Sequence, residues 1–176
     1  TFPDGREVSY PVGITGYDIA KNISESLANV SLAVIINDKV CDLLLPINSD
    51  SKLKIIKRED PESLELIRHD CAHIMAESVQ QLFPETQVTI GPAIDNGFYY
   101  DFVKEKAFTI EDLDKIEKRM LKIVDSNVPF TREIWNREDA IEYFTNIGET
   151  YKAEIIKDLP ENEDITIYKQ GKWLDL

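Results

Sequence analysis

Leu64–Phe83 reads LELIRHDCAHIMAESVQQLF, with an apolar stripe at helical spacing through Leu64, Ile67, Cys71, Ile74, Met75, Ser78 and Leu82. It predicts one long helix with that stripe against a core, stopped by Pro84. The only two histidines of the chain, His69 and His73, fall four residues apart, which stacks them on one helical face. At about 100° per residue that face lies opposite the stripe, beside Ala72, Ala76 and Gln80. Two imidazoles among small residues suit a helix that lines a cleft.

Upstream, Arg58-Glu59-Asp60-Pro61 marks a boundary, with Asp60 placed to cap the helix and Pro61 suited to its first turn. Before it, Asp4-Gly5 predicts a turn followed by a strand at Glu7–Tyr10. Thr15 is positioned to cap a helix over Gly16–Ala28, with Ile19, Ile23 and Leu27 on one face. Strands follow at Ser31–Ile36, Lys39–Leu44 and Lys52–Lys57, the first two joined by an Asn37-Asp38 turn. This order predicts a β-grasp, ubiquitin-like unit over residues 1–58. Its Lys52, Lys54, Lys57 and Arg58 are read as a solvated strand face.

Downstream, QVTIGPAIDNGFYYDF (Gln87–Phe102) predicts a hairpin at Asn96-Gly97 followed by an aromatic strand. A second helix, from Thr109 to Asn127, has Leu113, Ile116, Met120, Ile123 and Val124 as its core face. Its basic stripe, Lys115, Lys118, Arg119 and Lys122, reads as solvent-facing because Glu111 and Asp114 precede Lys115 and Lys118 by one turn. A strand at Phe130–Trp135, a helix at Arg137–Asn146 stopped by Gly148, and a hairpin through Gln170-Gly171 complete the pattern. The fold class is thus α+β, a small β-grasp unit followed by an α+β unit whose histidine helix packs on an antiparallel sheet.

The formal charge is −13. Residues 1–58 are balanced, seven acidic against seven basic, so the excess lies wholly in the remainder. An acidic surface grips phosphates poorly without local basic patches. No apolar run is long enough to cross a membrane and no export signal is present. Two cysteines, Cys41 and Cys71, are too few for a disulfide framework and suit a reducing cytoplasm.

Three readings of His69 and His73 compete. They are surface histidines without a task, metal ligands, or groups that move or position protons. A zincin helix uses His-Glu-x-x-His; here Asp70 is a methylene shorter than the required glutamate, Cys71 points to the other face, and no third histidine exists. No metal is therefore assigned. Paired imidazoles suit acid–base work on an ester.

IRHDCAHIMA (Ile67–Ala76) followed by IGPAIDNGFYYDF (Ile90–Phe102) resembles the editing domain of bacterial threonyl-tRNA synthetases, a domain related to that of the alanyl enzymes. Residues 1–58 resemble the TGS domain that precedes it, and Gly148-Glu149-Thr150-Tyr151-Lys152 favours the threonyl type. The resemblance implies a TGS domain at 1–58, a linker at 59–62 and an editing domain from 63 to 176, cut short before a Cys-x-x-x-His segment. It implies hydrolysis of serine mischarged onto tRNA(Thr), whose 3′ end is the expected partner, within a cytoplasmic enzyme that ligates threonine to tRNA with ATP. His69, His73 and Lys152 are the implied catalytic residues. Asp175, Tyr100 and Gly91 are expected to bind the substrate, with His73 and Asp175 holding the serine hydroxyl and amine. No cofactor is expected in this segment; ATP, magnesium and zinc belong to a catalytic core outside it, as does homodimerisation, leaving a monomer of weak activity. The alternative is an RNA- or protein-binding regulatory module without hydrolytic activity.

Overall fold

The computed structural model describes residues 1–176 and has six helices with antiparallel sheets, an α+β architecture. It divides into two compact units, Thr1–Ile67 and Arg68–Leu176.

In the first unit, β2 (Ser31–Ile36) is the centre of an antiparallel sheet between β3 (Lys39–Asp42) and β5 (Leu53–Lys57). Asn37 and Asp38, at φ 48° and 67°, form the two-residue turn that joins β2 to β3. β3 is shorter than expected because Asp42 Oδ1 accepts the Leu44 N–H at 2.7 Å and turns the chain. A second, two-stranded ladder pairs β1 (Ile14–Thr15) with β4 (Pro46–Ile47). The expected strand at Glu7–Tyr10 does not form; the backbone N–H of Leu53 at the head of β5 instead bonds Thr1.

The single helix expected over Gly16–Ala28 is two, α1 (Gly16–Ile23) and α2 (Glu25–Val30). Thr15 does cap α1, in a reciprocal box with Asp18. The break is Ser24, whose extended backbone closes α1 and whose Oγ accepts the Leu27 N–H to open α2. Ile19, Val34 and Leu53 form the buried core.

The histidine helix, α3, runs from Ser63 to Leu82. Asp60 does not cap it: its carboxylate accepts the Lys57 N–H at 2.8 Å, within a turn that delays the helix to Ser63. The expected stripe is buried only in part: Ile74 and Ser78 are buried and Cys71 and Met75 half-buried, but Leu64, Ile67 and Leu82 are exposed, while Ala72, His73, Ala76 and Val79 on the other side are buried too. The middle of α3 is enclosed on more than one side, with Ser78 Oγ donating to the Ile116 carbonyl of α4 (Ile110–Asp125) at 2.9 Å. A helix enclosed all round carries no single readable stripe. On α4 only Ile116 and Ile123 are buried; Leu113 and Val124 of the predicted face are open to solvent.

The second unit is built on a three-stranded antiparallel sheet in the order β10 (Phe130–Trp135), β11 (Ile165–Gln170), β12 (Trp173–Asp175). Alternation along β11 divides its faces. Ile165 and Ile167 join Phe144 of α5 (Arg137–Asn146) and Ile156 of α6 (Thr150–Asp158) in one core. Tyr168 turns the other way, its ring centroid 4.9 Å from that of His73. Between α3 and α4, β6 (Gln87–Val88) pairs with β9 (Phe102–Val103), and β7 (Ala93–Ile94) with β8 (Gly97–Phe98). The tight turn is therefore Asp95-Asn96, one residue earlier than expected, and Gly97 is a strand residue.

Candidate functional site

Asp175, at the end of edge strand β12, is the point on which the candidate residues converge. It is fully buried, and its two oxygens meet four donors. Oδ2 is 2.7 Å from His73 Nδ1 and accepts the Tyr100 hydroxyl at 2.8 Å. Oδ1 accepts the Leu176 N–H at 2.9 Å and forms an ion pair with Lys152 Nζ at 2.5 Å. Burial alone would raise the Asp175 carboxyl, but the Lys152 charge and the His73 hydrogen bond outweigh it and hold it well below its usual range.

An ionised Asp175 can only accept, so His73 presents Nδ1–H to it. The other nitrogen, Nε2, lies 3.0 Å from His69 Nε2. His69, His73 and Asp175 thus form a file running from a half-buried imidazole to a buried carboxylate. Tyr168 meets both imidazole rings, and Phe130 and Trp173 meet His73, so the ring is held by contact as well as by hydrogen bonds.

Lys152 is carried by α6 and is 1% exposed. Its ammonium lies over the rings of Phe144 and Trp173, at 5.4 and 5.8 Å from their centroids. Beyond the close ion contact with Asp175, no acceptor stands in line with its N–H bonds. Buried donors in that condition are costly and suit an oxygen that arrives with a ligand.

Tyr100 is positioned by an aromatic series: it stacks on Phe102, which meets Phe108 edge-on, which meets Phe83. Burial and the adjacent Asp175 charge push its phenol far above the usual value, so it stays a neutral donor. Gly91 enters the site through Tyr100. A Cβ at Gly91 would sit 2.1 Å from Tyr100 Cδ2, so the ring lies against the bare backbone. Gly91→Ala should therefore destabilise the chain by about 1–3 kcal/mol through overpacking. In a Tyr100→Ala background the same change should cost almost nothing; equal costs in both backgrounds, by urea unfolding, would remove this account.

All six residues singled out in the sequence are accounted for by this geometry, five directly and Gly91 through the Tyr100 ring. Asp175 meets four donors, and both His73 nitrogens are engaged, one by Asp175 and one by His69. Sequence reasoning missed Tyr168, Trp173 and Glu149, whose roles depend on sheet register and a helix turn rather than on spacing in one segment. Nor do the residues fit a metal. No three His, Cys, Asp or Glu side chains converge to hold one, and the imidazoles spend nitrogens on each other and on Asp175.

Residues 1–57 match the TGS domain family, a β-grasp fold. The whole chain is 53% identical to part of the threonine–tRNA ligase of Rhodospirillum rubrum, covering 100% of the chain and 27% of that protein. The corresponding values are 57% and 26% for the threonine–tRNA ligase of Agrobacterium fabrum, and 55% and 26% for that of Rhizobium etli, again over the full chain. The similarity is to the N-terminal region of these bacterial ligases, and the chain spans about a quarter of their length. No helix is long and apolar enough to cross a membrane.

Proposed function

We propose that this chain is the proofreading segment of a threonine–tRNA ligase, and that its histidine cluster hydrolyses the ester of serine mischarged onto tRNA(Thr). The observation that carries the reading is the buried Lys152 ammonium, paired with Asp175 and with no second acceptor, in the same cluster as the His69–His73 file. We assign residues 1–58 to the TGS domain and residues 63–176 to the hydrolytic domain, acting on the tRNA 3′ end in the cytoplasm. ATP and metal chemistry belong to the ligation core of the longer enzyme, and no step is assigned to them here.

The chemical need comes from substrate size. A threonine site cannot strongly reject the smaller serine, because a missing methyl is worth only about 1–3 kcal/mol. A second site that hydrolyses the smaller ester restores accuracy. In the proposed reaction the oxygen of water bonds to the ester carbonyl carbon, and the carbon–oxygen bond to the ribose then breaks. The ribose oxygen takes a proton, and serine and free tRNA leave. His69 positions the water and accepts its proton, while His73, oriented by Asp175, supports the charge that develops on His69. Lys152 donates to the oxygen that becomes negative, and Tyr100 closes the wall beside Asp175.

His69→Ala in the full-length ligase should lower deacylation of seryl-tRNA(Thr) by about 100-fold or more, the range of a lost general base. Threonylation should be unaffected. Deacylation at the wild-type rate would sink the proposal and leave the chain as a binding or regulatory module.

A further inference from the structure

Glu149 is a buried carboxylate, 6% exposed, that the proposed chemistry does not use. Gly148, at φ 85°, turns the chain out of α5, and Glu149 N–H bonds back to the Phe144 carbonyl. This places Glu149 at the N-cap of α6, yet its side chain does not cap the helix. The carboxylate faces inward instead. Oε1 accepts the Gln80 side-chain amide and Oε2 accepts the Val88 N–H at 3.0 Å. Gln80 in turn accepts the Trp173 indole N–H at 2.7 Å.

These bonds tie together the elements that carry the cluster. Gln80 lies two helical turns after His73 on α3, Trp173 lies two residues before Asp175 on β12, and Lys152 lies one turn after Glu149 on α6. A cap residue that gives up its own helix N–H to bind another helix is a sign of a position held for something other than helix stability.

We propose that Glu149 is a positioning residue: it locks α3, α6 and β12 into the register that sets Lys152 and Asp175 against the histidines. The proposal deepens the hydrolytic reading and rests on it for its kinetic arm. The groups facing Lys152 are Asp175 and Trp173 from β12, Phe144 from α5 and Glu149 from its own helix. Tyr100 lies within the field of both carboxylates and stays neutral. Burial raises the Glu149 carboxyl above its ordinary value, against the pull of the Val88 N–H and Lys152.

The test compares Glu149→Gln and Glu149→Asp in the full-length ligase, with the 176-residue chain as a second arm. Glu149→Gln should lower kcat for seryl-tRNA(Thr) deacylation by about 10–100-fold, the scale of a misplaced catalytic group, with KM little changed. Glu149→Asp, which keeps the acceptor oxygens but shortens their reach, should recover only part of kcat. Independently of catalysis, the indole N–H NMR signal of Trp173 in the chain should shift in Glu149→Gln, because Gln80 loses its acceptor or must turn. A raised KM with kcat unchanged would point to lost substrate binding rather than misplaced catalytic groups and overturn the positioning role. An unmoved Trp173 signal would overturn the register claim. Absence of deacylation by the wild-type ligase would instead strike the hydrolytic reading and leave the NMR arm standing.

Discussion

Asp175→Ala should lower the stability of the second unit by about 3–5 kcal/mol, the cost of leaving one member of a buried ion pair alone. The substitution strands the Lys152 ammonium at 1% exposure and removes the acceptor of both His73 Nδ1–H and the Tyr100 hydroxyl. Asp175→Asn should cost less, since its carbonyl oxygen still accepts while its amide faces a donor. Both tryptophans, Trp135 and Trp173, lie in this unit, so urea unfolding followed by tryptophan fluorescence reports it directly. A loss below about 1 kcal/mol, the worth of a surface pair, would mean that the cluster does not hold the unit together.

The same residue sets a pH dependence. The folded Asp175 pKa lies below the ordinary aspartate value of 3.8, so its contribution is complete above that value and fades as the pH falls below it. Tyr100 acts at the other end. Its folded pKa lies above the ordinary tyrosine value of 10.0, so its contribution is complete below pH 10 and is lost as the pH rises further. Asp175→Asn should therefore flatten the acid limb of unfolding, and Tyr100→Phe the alkaline one.

Much of this cluster is legible in the sequence, though not through hydrophobic pattern. His69 and His73 are visible because four residues separate them and no other histidine exists. The stripe is only partly right: its ends, Leu64, Ile67 and Leu82, are exposed and its middle, Ile74 and Ser78, is buried, but the middle of α3 is enclosed by its neighbours, so burial there also takes in Ala72, Ala76 and Val79. Small residues pass unnoticed when large apolar ones set the pattern. At Ser24 a single hydroxyl breaks an otherwise continuous helix, because it offers the backbone a local partner. Glu149 is unreadable for a different reason. Its segment could begin a helix or a strand, and only the tertiary approach of Gln80 and Val88 holds the carboxylate inward. Lys152 and Asp175 are named through family resemblance, since nothing in their own segments predicts that they meet.

Lys152→Met should separate stability from activity. Removing the lysine leaves Asp175 with three donors, His73, Tyr100 and the Leu176 N–H. The methionine thioether can reach toward Phe144 and Trp173, over whose rings the lysine ammonium lay, and thioether sulfur packs well against rings. The stability cost should therefore fall below that of Asp175→Ala, at about 1–2 kcal/mol. Catalysis has no such substitute. If Lys152 donates to the oxygen that becomes negative, its loss should lower seryl-tRNA(Thr) deacylation by about 100–1,000-fold, the scale of a missing oxyanion donor. A double-mutant cycle with Asp175→Asn gives a further check, because residues of one buried network should couple by about 0.5–3 kcal/mol. Deacylation within threefold of wild type in a folded Lys152→Met ligase would show that the ammonium only balances Asp175, and would shift the proton chemistry wholly onto the imidazoles.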